Sequence, residues 1–140
     1  MLIRRLENTV QRYAWGSPDA IPSLLGRANP DGDPWAELWM GDHPRGPSRL
    51  VGGELLSEAI DRDPAGVLGA AVAERYGARL PFLFKVLAAA RPLSIQCHPD
   101  RDQARAGFDR EQAAGVPVDA FARNYRDPNH KPELICALTP

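Results

Sequence analysis

The stretch Leu93–Asp100 (LSIQCHPD) concentrates side chains able to hold a metal ion. Read as a strand, its side chains alternate between two faces. Leu93, Ile95 and Cys97 then form one face, suited to a core, while Ser94, Gln96 and His98 form the other. Gln96 and His98 offer oxygen and nitrogen donors on that second face. Two readings fit this polar row: a solvated antiparallel face, or a polar site in the mouth of a β-barrel or sandwich. A Cys97–His98 nucleophilic dyad is disfavoured, because adjacent strand residues point to opposite faces.

A second cluster lies in NHKPELICAL (129–138). On a strand, Lys131, Glu133 and Ile135 share a face. Lys131 and Glu133 are either a solvated edge pair or members of the same pocket as Gln96 and His98. In the second case Glu133 supplies a carboxylate oxygen to a metal, and Lys131 a cation for a substrate oxygen. The chain has just one other lysine, Lys85, between Leu83 and Leu87 on one strand face. Such a lysine either snorkels at an edge or is buried to meet an anion, and an anionic substrate group would serve. Glu37 poses the same question with opposite sign, in a run flanked by Trp35 and Trp39. Trp15 suits either a core or a sugar-stacking platform.

These residues need elements to hold them. Residues 2–13 read as a strand entering the fold. Ser17–Leu25 reads as a short helix capped by Ser17, with Pro18 at the first helical position. Residues 36–40 form a strand, 54–60 and 64–76 two helices, the second ending at Gly77. Strands over 82–90 and 93–98 flank Arg91-Pro92. Asp100 caps a helix over 101–114, with Gln103 completing a capping box. Residues 118–132 are loop, and 133–138 a last strand. Short strands with helices between them predict an α+β or mainly β domain.

Composition narrows the function classes. Lys and Arg total 17 against 18 Asp and Glu, a net charge of -1, which disfavours a nucleic-acid binder. No apolar run reaches the ~18 residues of a membrane span, and the N-terminal stretch lacks the apolar core of a secretory signal. Two isolated cysteines, Cys97 and Cys136, with no CxxC spacing, disfavour a zinc ribbon or disulfide framework and predict a reduced, cytoplasmic protein. A length of 140 residues predicts one domain. The chain ends in ICALTP, directly after an apolar run, so its C-terminus is expected to be cut within the fold.

The strings YAWGS (13–17), AELWMGDHP (36–44), LPFLFKVL (80–87), PLSIQCHPD (92–100) and RNYRDPNHKPEL (123–134), in this order and spacing, resemble type I mannose-6-phosphate isomerases. The resemblance covers the whole chain. It implies a mainly β fold with helical insertions, a cupin-type double-stranded β-helix (jelly roll), incomplete in this chain. Residues 1–140 would be the N-terminal part of the catalytic cupin domain, including a helical insertion around 100–128. It implies a zinc-dependent enzyme, with one zinc per chain, interconverting mannose 6-phosphate and fructose 6-phosphate through an enediol. By resemblance Gln96, His98 and Glu133 are metal ligands, with a fourth histidine beyond residue 140. An active-site arginine and tyrosine are also expected beyond it. Lys131 and Glu37 are the implied catalytic residues, and Trp15, Lys85 and Ser94 the substrate-binding ones. His43 and His130 belong to the family's motifs but not to its zinc ligands. The implied partner is a small sugar phosphate, with no nucleic acid, membrane or obligate protein partner. The alternative is a non-catalytic sugar-phosphate-binding cupin or an inactive truncated fragment.

Overall fold

The computed structural model of the chain describes residues 3–138. It divides at Leu93/Ser94 into two compact units.

The first unit is built around a three-stranded antiparallel sheet with strand order β2 (Thr9–Gln11), β3 (Glu37–Met40), β5 (Phe84–Leu87). Register pairs Gln11 with Glu37, Thr9 with Trp39, and Trp39 with Lys85. Period-two alternation separates its faces. Val10, Leu38 and Val86 pack with Ile21, Trp35 and Ala88 in a hydrophobic core. Thr9, Gln11, Glu37, Trp39 and Lys85 line the opposite face. A two-stranded ladder, β1 (Leu6–Glu7) with β4 (Arg49–Leu50), lies in the same unit. The strand expected over 2–13 is therefore two short strands that pair in different sheets, with Leu2 outside the described residues. That expected over 82–90 is limited to 84–87.

Helix α1 (Ala20–Leu25) begins later than the sequence suggests. The Ser17 hydroxyl still accepts the N–H groups of Asp19 and Ala20, at 3.2 and 3.1 Å, so the serine starts the turn rather than capping the helix proper. Gly16 is required just before it. A Cβ there would lie 2.6 Å from the Ala36 backbone, where the turn carrying Trp15 crosses β3. α2 (Leu56–Arg62) follows the ladder. The helix expected over 64–76 is instead two, α3 (Pro64–Leu68) and α4 (Ala70–Tyr76), broken at Gly69 with φ 88°. The Asp63 carboxylate caps α3 by accepting from Gly66 N at 3.0 Å, and Pro64 begins that helix without the N–H it lacks.

The second unit has one regular element, α5 (Arg101–Ala113). Its predicted capping box is present: Asp100 accepts from Gln103 N at 2.8 Å, and Gln103 accepts from Asp100 N at 3.0 Å. Residues 114–128 are turns and irregular chain, in keeping with the loop expected over 118–132. The strands expected over 93–98 and 133–138 are irregular. A strand requires neighbouring backbone to answer its N–H and C=O groups, and neither segment pairs with another among the described residues. The predicted core face of Leu93, Ile95 and Cys97 is exposed for the same reason, as are Leu134, Ile135 and Leu138.

Both sheets are antiparallel, and helix outweighs strand among the described residues, which fits the α+β alternative rather than the mainly β one. No helix there is long and apolar enough to cross a membrane.

Candidate functional site

In the first unit, β3 and β5 set an acid and a base side by side. Glu37 is buried, and its side chain stands on the same sheet face as Trp39 two residues on. One carboxylate oxygen accepts from the Trp39 indole N–H at 2.6 Å; the other lies 3.1 Å from Lys85 Nζ. The anion expected opposite Lys85 is thus present in the protein itself. Sequence spacing could not show this, because the pair joins residues 48 apart through strand register.

Trp39 is enclosed on several sides. His43 meets it edge-on at 4.7 Å, and the Arg45 guanidinium lies 5.7 Å from its ring centroid. Partial burial, and secondarily Arg45, pushes the His43 pKa below its ordinary value, with Asp42 opposing. Trp15 is partly buried rather than a core residue. It stacks on Tyr13 at 5.6 Å, and its carbonyl accepts from Ala90 N at 2.9 Å. That leaves an aromatic pair accessible at the turn.

In the second unit, Glu133 gathers two of the predicted site residues. Its carboxylate oxygens lie 3.7 Å from His98 Nε2 and 3.1 Å from Lys131 Nζ. Gln96, His98 and Lys131 line one open depression of about 400 Å³, together with Tyr125. Ser94 is exposed. The alternation argument had placed Gln96 with His98 and Lys131 with Glu133. The structure brings both pairs together, but by irregular chain rather than by strands.

The donor set suits a divalent cation. Two ligands each about 2.1 Å from a tetrahedral zinc stand roughly 3.4 Å apart. The His98–Glu133 separation of 3.7 Å is slightly wider. Gln96 adds an amide oxygen from the same depression, so three protein ligands would leave a position for water or substrate. No three His, Cys, Asp or Glu side chains form a metal-sized group among the described residues. Neither Cys97 nor Cys136 is disulfide-bonded.

Sequence reasoning missed Arg123 and Glu111. Arg123 is buried beside Glu111, with Nε 3.1 Å from its carboxylate. The available signal was an arginine in an otherwise solvated loop, which composition alone does not distinguish from a surface charge.

The family model for the catalytic domain of type I phosphomannose isomerase matches residues 3–140. The mannose-6-phosphate isomerase of Salmonella typhimurium is 56% identical over 142 residues, covering 99% of this chain and 36% of the relative. That of Escherichia coli is 54% identical over 142 residues, with the same two coverages of 99% and 36%. The human enzyme is 37% identical over 146 residues, covering 96% of this chain and 32% of the relative. A crystal structure of the Salmonella typhimurium enzyme bound to substrate and zinc matches with a TM-score of 0.83 at 55% identity, over 91% of this chain and 33% of that one. The chain thus spans about a third of the length of the curated relatives it matches.

Proposed function

The chain belongs to the type I phosphomannose isomerase family, and from that premise we propose that it serves a zinc-dependent interconversion of mannose 6-phosphate and fructose 6-phosphate. The observation that carries this reading is the convergence of His98, Glu133 and Lys131, with Gln96 in the same depression. The relatives' fold is the basis for assigning a cupin-type jelly roll, to which residues 1–140 contribute the N-terminal part of the catalytic domain. A cytoplasmic location, and a small sugar phosphate as the partner, follow from the same reading.

Gln96, His98 and Glu133 would hold a zinc, and together they would bring one negative charge, leaving the ion positive charge for the substrate. When bound, it supplies Lewis-acid stabilisation of the charge that develops on two adjacent sugar oxygens as the proton moves between carbons. His98 lies nearer one Glu133 oxygen, and Lys131 Nζ is paired to the other at 3.1 Å. From there it orients the carboxylate and is a proton donor or acceptor for a sugar oxygen. Glu37 is the second catalytic candidate. Its carboxylate is oriented by the Trp39 N–H and Lys85, one to each oxygen. Lys85 carries the cation for the phosphate or a sugar oxygen, shared with Glu37. Trp15 offers an aromatic face and Ser94 a hydroxyl to the sugar.

Zinc stoichiometry tests the reading. The chain should bind about one zinc, and His98→Ala should remove most of it, because imidazole is the strongest zinc ligand of the three. Unchanged zinc content in that variant would sink the assignment.

A further inference from the structure

The irregular chain after α5 has no ladder to fix its course, yet at residues 123–125 it is tied to the helix by two side chains. Glu111 accepts from the Asn124 backbone N–H at 3.1 Å, its Nδ2 at 3.2 Å, and the Tyr125 N–H at 2.8 Å. These bonds, the one from Tyr125 foremost, hold the Glu111 carboxyl below the usual carboxylate range. Arg123 lies inward, its side chain wholly enclosed. Its Nε donates to the Tyr125 carbonyl at 2.6 Å, and a terminal nitrogen donates to Gln112 Oε1 at 3.2 Å. The guanidinium also covers the Phe108 ring at 5.0 Å. Gly107 completes the seat: a Cβ there would stand 2.5 Å from the Tyr125 ring, so the ring lies directly on the helix backbone.

Both ligand-bearing segments therefore hang from α5. His98 enters through the Asp100–Gln103 capping box at its start. Lys131 and Glu133 follow from the 123–125 tether near its end. Tyr125 lines a depression with His98 and Cys97, so a shift of the tether moves the wall of the site.

We infer that Glu111 and Arg123 are positioning residues of the metal centre: they fix the chain that presents Lys131 and Glu133 to His98, without touching metal or substrate. This rests on the zinc reading above. Partners behind metal ligands typically change metal affinity by 10–100-fold when lost. Because this pair acts through the backbone, the lower end applies.

The test is zinc affinity of the full chain by competition with a chromogenic chelator, with circular dichroism on the same samples. Glu111→Gln retains volume but sets an amide N–H against the Tyr125 N–H, and should weaken zinc about tenfold. Arg123→Lys, which keeps the charge and loses the fork, should do the same with helix content unchanged. The double variant should lose little more, since both disable one tether. Arg105→Gly, at an exposed position, loosens the same helix through backbone entropy and should leave zinc affinity within about twofold if position rather than helix stability matters. Unchanged affinity in Glu111→Gln and Arg123→Lys, with His98→Ala still abolishing binding, overturns the positioning role alone. Equal losses in Arg105→Gly reduce it to a structural one and overturn it too. Unchanged zinc in His98→Ala overturns the metal reading and this inference with it.

Discussion

Replacing Lys85 by methionine separates two physical pictures of this lysine. A lysine buried without an anion would gain stability on losing its charge, because desolvation of the ammonium would no longer be unpaid. Here Glu37 reverses the sign. Its side chain is 8% exposed, and Lys85 Nζ lies 3.1 Å away with 29% of that side chain exposed. At an effective dielectric near 20, unit charges at this separation attract by about 5 kcal/mol before desolvation is subtracted. Hydrogen bonds to charged groups are worth a net of about 1.5–3 kcal/mol. The partial exposure of Lys85 places the net near the lower end, so Lys85→Met should destabilise by roughly 2 kcal/mol. Glu37→Gln leaves a lysine that can still reach water and should cost about 1 kcal/mol. The double variant should cost less than the two together, with a coupling of about 1 kcal/mol. Urea unfolding followed by tryptophan fluorescence is the appropriate assay, because Trp15, Trp35 and Trp39 all lie in the first unit. A Lys85→Met protein as stable as the parent, or a coupling indistinguishable from zero, would refute the reasoning.

Three further outcomes follow from the packing. Gly16→Ala should cost about 1–3 kcal/mol by overpacking, since its Cβ would meet the Ala36 backbone at 2.6 Å; an unchanged urea midpoint would contradict that contact. Asp100→Ala removes the acceptor for Gln103 N and should cost about 1 kcal/mol, read as a lower helix signal in circular dichroism as urea rises. His43 has a folded pKa below its unfolded 6.5, so the folded state binds fewer protons and unit stability should rise with pH through the window just below 6.5. His43→Gln should flatten that part of the fluorescence-detected profile, and a profile unchanged by it would remove His43 as the cause.

Much of this protein is set by local sequence. The capping box of α5 needs only Asp100 and Gln103 at the right spacing, because both bonds form within one turn. The stop at Gly77 and the polar face of β3 are local in the same sense, as the alternation of Glu37, Leu38 and Trp39 follows from strand pleat alone. The motif strings, in order, sufficed to indicate the family. Local pattern misled where the outcome depended on a distant partner. LSIQCH and ELICAL carry strand-like sequences, but a strand exists only when other backbone answers it, and these segments are irregular. The tertiary structure alone decided that the anion beside Lys85 is Glu37, through the β3–β5 register. It also decided that Arg123 is enclosed, through Glu111 and Phe108 of a helix that precedes it. Residue spacing fixes which side chains can share a face. Which charges meet is fixed by how segments far apart in the chain pair and fold back, and that information lies in no single stretch of sequence.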